Sequence, residues 1–365
     1  MNILVTGANG FIGKNLCKEL SSFEGLKIFK VTKKTSMKSL KKKIEVCDLI
    51  YHLAGSNREK KIQTFNKNNV YFTEKIYNLL KDTKKKVKIV FTSTTHIDNN
   101  THYGKTKKTA EKILHKLKIN ENINLITLRL PNIFGKWSKP FYNSAIATFC
   151  YQVSRGKAIK IEKDKVIPLL YIDDLINYLV LFKKNKINNQ IIKQFKDVKN
   201  IRLKKIKNLL EYFYQLKTVE IPKNISNQFV KKLYSTYLYF CPIRDFKKKL
   251  IKNNDKRGDF IELVKCNSFG QFSIISINPQ KERGGHYHNT KVERFFLLKG
   301  EVKFFFKNLS NNKKYSLKVD ENNYSQVTTV PGVAHKIKNI SNKKAILAIW
   351  TNEIYDSNKP DTYKI

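Results

Sequence analysis

The sequence predicts a doubly wound α/β domain followed by an all-β jelly-roll domain, and three observations carry that expectation. Strand-like and helix-like segments alternate over roughly the first 180 residues, a glycine-rich turn follows the first strand, and short β-type runs dominate from about residue 259. Alternation implies a parallel sheet with helices on both faces, and the closely spaced runs imply a barrel or sandwich. A chain of 365 residues with 41% hydrophobic content has material for two cores. The expected division is a first domain over 1–245, a linker over 246–258 and a second domain over 259–365.

Asn2 to Val5 reads as a buried strand, followed by Thr6-Gly7-Ala8-Asn9-Gly10-Phe11-Ile12-Gly13 and an amphipathic helix to about Leu20. This is the order of a dinucleotide site. Gly7 permits the turn, Gly10 lets the backbone approach a pyrophosphate, and Gly13 lets helix pack on strand, with Phe11 and Ile12 opening the helix. The next strand, Lys27 to Thr32, ends at Lys33-Lys34, where an NAD-preferring site carries an acidic residue. Cations there suit a 2′-phosphate, which points to NADPH; two lysines met by chance in a basic chain are the alternative.

Asp48 to Leu53 is a third strand, leading into Ala54-Gly55-Ser56-Asn57-Arg58, where a loop can pass close to a cofactor. About fifteen residues separate it from the second strand, so one strand of the usual sheet is expected to be missing. A helix over 64–80 contains Asn69. Lys88 to Thr92 then delivers Ser93, Thr94 and Thr95, and a helix opens with Tyr103-Gly104-Lys105-Thr106-Lys107.

Tyr103 and Lys107 share a helix face, and a lysine cation beside a phenol depresses its pKa from about 10 toward neutrality. A phenol so tuned can protonate a reduced carbonyl. The spacing itself is weak, because Tyr71/Lys75, Tyr77/Lys81, Tyr287/Lys291 and Tyr355/Lys359 repeat it. What separates the pair at 103 and 107 is the hydroxyl-bearing strand end just upstream. A further strand, Asn124 to Arg129, ends in Leu130-Pro131-Asn132-Ile133-Phe134-Gly135.

From Lys136 to about Phe240 the pattern is mostly helical. Lys136-Trp137 and Tyr142-Asn143-Ser144 offer cationic, aromatic and amide groups for a nucleotide-sugar, or form a surface loop with core aromatics. The later β-runs are 272–277, 294–298, 302–307, 315–319, 335–338 and 345–351. Among them, His286 and His288 stand two apart on an extended segment and point to one side. With Glu293 and His335 they can converge on one divalent metal, zinc ahead of nickel, iron or manganese, or form a polar barrel mouth without metal.

Composition narrows the classes. Five cysteines are scattered without C-x-x-C pairing, so neither a disulfide framework nor a thiolate zinc site is expected. The net charge of +43 comes from lysines spread over the whole chain with little arginine, which reads as a solvated basic surface and not a nucleic-acid interface. No apolar run reaches membrane-spanning length, so a cytoplasmic protein without membrane or nucleic-acid partners is expected.

Two resemblances follow from these residues. Gly7, Gly10 and Gly13, His52-Leu53-Ala54-Gly55, Thr94, and Tyr103 with Lys107 resemble an extended short-chain dehydrogenase/reductase, a Rossmann-type fold. The segments around His286-Tyr287-His288 and Pro331-Gly332…His335 resemble the two motifs of a cupin, the second lacking one usual residue. Together with Leu130–Trp137, Ala147-Thr148-Phe149-Cys150 and Tyr171-Ile172-Asp173-Asp174, the chain resembles the bifunctional capsule-type UDP-sugar reductases of the UDP-N-acetyl-L-fucosamine pathway.

That resemblance implies a UDP-linked 2-acetamido-2,6-dideoxy-4-ketohexose as substrate, epimerised at C3 in the cupin and reduced at C4 with NADPH to UDP-N-acetyl-L-talosamine. It implies catalytic roles for Thr94, Tyr103 and Lys107, cofactor contacts at Leu53, Ala54 and Gly55, substrate contacts at Asn132, Lys136 and Asn143, and a homodimer. Thr94 stands where relatives tend to carry serine and keeps the hydroxyl. The cupin base stays open among Tyr287, Lys291 and acids outside the motif, as does a structural or catalytic role for the metal. The competing readings are an NAD-dependent epimerase or dehydratase whose cupin serves only dimerisation, and a catalytically inactive sugar-nucleotide or RNA binder.

Overall fold

The computed structural model describes residues 1–58, 61–142, 144–184 and 189–365. They divide into two compact units, one made of Met1–Glu211 and Lys232–Cys241, the other of Tyr212–Lys231 and Pro242–Ile365.

The first unit runs β1 (Asn2–Thr6), α1 (Phe11–Leu20), β2 (Lys27–Val31), α2 (Met37–Val46), β3 (Leu49–His52), α3 (Ile62–Phe65), a π-helical turn (Asn66–Tyr71), α4 (Phe72–Leu80), β4 (Val87–Thr94), α5 (His102–His115) and β5 (Ile123–Leu130). It continues through β6 (Asn132–Phe134), α6 (Ala145–Val153), β7 (Val166–Tyr171), α7 (Ile172–Leu181), β8 (Ile191–Ile192), β9 (Lys199–Arg202) and the larger parts of α8 (Leu203–Gln215) and α9 (Gln228–Phe240), whose residues 212–215 and 228–231 group with the second unit. A parallel six-stranded sheet has the order β2-β1-β3-β4-β5-β8.

Strand β4 sits between β3 and β5, and nearly all of its side chains are buried, as a central parallel strand requires. Its alternation sends Val90 to one core with Leu16, Leu128 and Leu175, and Ile89 and Phe91 to the other with Ile76 and Leu114. The sheet ends at β2, and a single helix, α2, joins β2 to β3, in keeping with the short spacing in the sequence. The stretch after Lys136 is less helical than its sequence pattern suggests. Strands β7 and β9 lie there and form a small mixed sheet with β6, which precedes it.

The second unit contains β10 (Lys252–Asp255), β11 (Gly258–Cys266), β12 (Gly270–Ile277), β13 (Glu282–Tyr287), β14 (Glu293–Lys299), β15 (Glu301–Asn308), β16 (Lys314–Asp320), β17 (Gln326–Thr329), β18 (Val333–Asn339), β19 (Ala345–Thr351) and β20 (Tyr363–Lys364). They form two antiparallel sheets, β10-β11-β12-β19-β14-β17 and β16-β15-β18-β13-β20, the two layers of a cupin-like jelly roll. Ile275, Phe295, Leu347 and Ile349 from one sheet meet Val302, Phe304, Val319 and Ile337 from the other in one core.

Two boundaries differ from the sequence expectation. Residues 212–231 group with the second unit, where the Ile221 N–H donates to the Lys265 carbonyl and the Lys265 N–H to the Val219 carbonyl around the Glu220–Lys265 bridge. The stretch 246–258 expected as linker contains β10, paired with β11 through Asn253–Phe260 and its neighbours. No helix among the described residues is long and apolar enough to cross a membrane.

Candidate active site and metal centre

In the sheet order β2-β1-β3, the chain reverses direction of winding at β1, and ligands of such sheets bind at the carboxyl ends beside that switch. A cleft of about 300 Å³ opens there. Its lining combines the turn Gly7, Gly10, Phe11, Ile12 and Gly13 with the loop after β3 (Leu53, Gly55, Ser56, Asn57), the end of β4 (Thr92, Ser93, Thr94), and Tyr103, Lys107 and Asn132. Gly13 is required sterically, since a Cβ there would lie 2.2 Å from the Gly7 carbonyl oxygen. Helix α1 begins without a side-chain cap and without an acidic residue in its first turn. Its leading N–H groups are therefore free for an anion, as a dinucleotide pyrophosphate needs.

The loop after β3 is held by two buried polar residues. His52 accepts at Nδ1 from the Thr6 hydroxyl (2.8 Å) and donates from Nε2 to Thr73 (3.0 Å); this tautomer follows because Thr6 accepts from the Ala54 N–H and Thr73 donates to the Asn69 carbonyl. Burial, with the Lys107 charge adding to it, pushes His52 down to about 3, so it is a neutral clip and not a proton carrier. Asn69, turned inward by the π-helical turn, accepts from the Ser56 N–H (2.7 Å) and donates to the Ser56 carbonyl (2.9 Å) and the Thr106 hydroxyl (3.0 Å).

Thr94 and Tyr103 come together in the cleft, near enough for the hydroxyl to act on the phenol's acidity. The expectation that Lys107 lowers the phenol is not met. Burial pushes Tyr103 up to about 12, opposed by the Thr94 hydroxyl, and pushes Lys107 down to about 7, opposed by Glu111. Both groups are desolvated in one cleft, and desolvation outweighs their spacing on the helix. The Lys107 ammonium lies 4.2 Å from the centroid of Phe91. The Ser93 hydroxyl, buried beside them, has no hydrogen-bond partner.

Glu111, one turn beyond Lys107, receives Arg129 in a fork, Nε to Oε1 at 3.1 Å and Nη2 to Oε2 at 2.8 Å, with both side chains largely buried. Breaking a buried pair strands the remaining charge, so Glu111→Ala is expected to lower unfolding free energy by about 3–5 kcal/mol in urea titration. A loss under about 1 kcal/mol would mean that solvent screens the pair.

Of the remaining expected contacts, Ala54 packs against Gly7, while Lys33 is exposed beyond β2 and outside the cleft lining. Asn132 lines the cleft and donates to the Pro168 carbonyl (3.2 Å). The Lys136 ammonium is taken by Asp173. Asn143 lies outside the described residues. Tyr142, whose ring the sequence offered for a nucleotide-sugar, lines the cleft, and so does His96, which no sequence pattern singled out.

In the second unit, β13 and β18 pair antiparallel and place His286 opposite His335 across a bulge at Gly284/His286. The bulge needs glycine: Gly284 has φ +96°, and a Cβ on it would sit 2.7 Å from the His335 carbonyl oxygen. Donor atoms of His286, His288, Glu293 and His335 all lie within 4.8 Å of one another. Glu293 Oε2 is 3.0 Å from His335 Nε2 and 3.4 Å from His288 Nε2, and accepts from the Thr329 hydroxyl.

These residues fit a divalent cation. His288 spends its Nδ1–H on the Asp361 carbonyl, leaving Nε2 buried without a hydrogen bond, and His335 Nδ1 is likewise buried and unpartnered. Burial, aided by His335, pushes His286 down to about 4, which keeps its lone pair available. Although burial opposes it, the two flanking imidazoles hold the Glu293 carboxyl well below the usual carboxylate range. Three imidazole nitrogens and a carboxylate are a common set for zinc and similar metals.

Comparison with known proteins accords with both halves. Residues 3–193 match the NAD dependent epimerase/dehydratase family, and residues 253–363 match the polysaccharide biosynthesis C-terminal domain. A UDP-2-acetamido-2,6-beta-L-arabino-hexul-4-ose reductase from Pseudomonas aeruginosa is 34% identical over 364 residues, covering 100% of this chain and 98% of that protein. The crystal structure of the capsular polysaccharide assembling protein CapF from Staphylococcus aureus superposes with a TM-score of 0.90 at 33% identity, covering 100% of both chains. A UDP-glucuronic acid 4-epimerase from Bacillus cereus, at 21% identity and a TM-score of 0.57 over 68% of this chain and all of its own, shares the fold. The chain belongs to the NAD dependent epimerase/dehydratase family, and it matches the Pseudomonas reductase and CapF over its whole length.

Proposed function

We propose that the chain is a bifunctional nucleotide-sugar enzyme acting on a UDP-2-acetamido-2,6-dideoxy-4-ketohexose. The second unit epimerises C3 and the first reduces C4 with NADPH, giving UDP-N-acetyl-L-talosamine, precursor of UDP-N-acetyl-L-fucosamine for capsular polysaccharide. It works in the cytoplasm as a homodimer. What carries this reading is the full-length similarity to a 4-ketosugar reductase, joined to Thr94 and Tyr103 paired in the same cleft as the glycine turn.

The chemistry dictates an order. A 4-keto group acidifies the hydrogen on C3, so inversion must precede reduction of that ketone. In the first unit the backbone of Gly7, Gly10, Phe11, Ile12, Gly13, Leu53, Ala54 and Gly55 would hold the cofactor, with Lys33 at its 2′-phosphate. Bound NADPH supplies the hydride. Thr94 hydrogen-bonds the C4 oxygen and Tyr103 donates its proton to it; a phenol held near 12 remains protonated at neutral pH and is a donor. Lys107 stands in the same cleft as the phenol and the cofactor loop. Asn132, Lys136 and Asn143 would contact the nucleotide-sugar. In the second unit His286, His288, Glu293 and His335 would hold zinc or a similar metal. That ion supplies positive charge for an oxygen that becomes negative when the C3 proton leaves.

The deciding experiment is incubation with a UDP-linked 4-ketohexosamine and NADPH, followed by NMR of the product's ring couplings. Inversion at C3 together with a new C4 hydroxyl is expected. A product reduced at C4 with C3 unchanged, or no NADPH consumption, would overturn the bifunctional reading. Cofactor choice is tested separately: replacing Lys33 and Lys34 with alanine should lower kcat/KM for NADPH about tenfold, the loss of roughly one charge contact of about 1.4 kcal/mol, while leaving NADH unaffected. Equal loss with both cofactors would remove Lys33 from the 2′-phosphate site.

A further inference from the structure

Strand β13, which carries His286, is flanked on one side by β18, with His335, and on the other by β20. The segment 361–365 engages this strand and the loop after it at every opportunity. Lys364 pairs with His286 and Tyr363 with Tyr287, whose rings stack at 5.2 Å, and the Ile365 N–H donates to the Gly285 carbonyl at 3.3 Å. The Asp361 carboxylate accepts three consecutive backbone N–H groups, from Asn289 (2.8 Å), Thr290 (2.7 Å) and Lys291 (2.8 Å), and the Thr290 hydroxyl at 3.0 Å. The carbonyl of the same residue takes the Nδ1–H of His288.

One residue thus grips the loop with its side chain and a metal-type histidine with its main chain. We propose that Asp361 is a positioning residue for the metal centre, a latch that sets the ring orientation and tautomer of His288 from 73 residues away in sequence. The inference rests on the reading that His286, His288, Glu293 and His335 bind a divalent metal.

Its physical basis is twofold. A ligating imidazole must present a lone pair at one nitrogen, and a carbonyl acceptor at the other makes that choice permanent. The carbonyl can do so only while residue 361 is held in place, and no side chain of β13 or β18 holds it. The holding is done by the carboxylate, whose two oxygens receive four donors from residues 289–291. Three successive N–H groups aimed at one anion would lose their common acceptor if that anion were removed, and the loop bearing His288 would be free to turn. Asp361 touches no reacting atom. Its effect travels through His288.

The test uses the full chain and zinc alone, read by chelator competition, with cobalt substitution as a spectroscopic check. Asp361→Ala should weaken zinc binding about 10–100-fold, the range seen when an outer partner of a metal ligand is lost, and should alter the cobalt ligand-field absorption. Asp361→Asn, which keeps the shape but loses the charge and one acceptor, should fall between it and the parent. NADPH titration by fluorescence should be the same in all three, showing that the chain is folded. Parent affinity and an unchanged cobalt spectrum in both variants would overturn the latch. If the parent binds no more zinc than a His288→Ala/His335→Ala double variant, the metal reading fails instead. Should Asp361→Ala not fold, Asp361→Asn decides alone: loss of zinc affinity supports the latch, parent affinity sinks it.

Discussion

Tyr103→Phe is expected to abolish NADPH oxidation while leaving deuterium exchange from solvent into the ketosugar intact. The phenol lines the same cleft as Thr94, the hydroxyl that would face the C4 oxygen, and Thr94 acts on its acidity. Phenylalanine keeps the ring and its packing but leaves the developing alkoxide without a proton. General acid catalysis contributes about 10²–10⁴-fold, so kcat should fall by that amount with little change in KM. Because Tyr103 is held at about 12 by burial, the parent should keep this donor protonated through neutral and mildly alkaline pH. A variant with more than about a tenth of parental kcat would show that another group, or water, delivers the proton.

The second large effect is expected at the other unit. His288→Ala removes one of four converging donors and should empty the site of metal and end deuterium exchange at C3. Losing a direct ligand should cost more than the about 10–100-fold seen for an outer partner. NADPH oxidation should survive when the ketosugar offered is already inverted at C3, since the donor pair of the cleft lies in a separate unit. Chelation of the parent should reproduce the same split. If exchange persists in the metal-free protein, the metal is structural; if both activities disappear in both Tyr103→Phe and His288→Ala, two independent sites are wrong.

Much of the fold was legible because its determinants are local. Buried parallel strands announce themselves as apolar runs, and 87–94 and 123–130 differ from their sequence reading by only a few residues at the ends. The jelly-roll strands at 272–277 and 345–351 were visible for the same reason. The small sheet of β6, β7 and β9 was not, since β9 has mostly exposed side chains and gains its strand character from pairing with β7. The extra segment 212–231 of the second unit was also invisible, because its attachment runs through backbone groups of Val219, Ile221, Pro222 and Lys223, bonded to Lys265, Cys266 and Ser268 far along the chain.

At the sites, the sequence by itself determined the chemistry on offer: the glycine turn, the hydroxyl Thr94 ahead of Tyr103 and Lys107, and three histidines with a carboxylate. Those follow from residue type and short spacing. What only the tertiary structure decided was how each group is charged and aimed. Burial in a shared cleft raised the Tyr103 phenol where its spacing from Lys107 predicted a lowered one, because desolvation depends on everything packed around a group and not on its neighbour four residues away. The inward turn of Asn69, the fork of Arg129 on Glu111, and the hold of Asp361 on His288 likewise join residues whose proximity is a property of the folded chain alone.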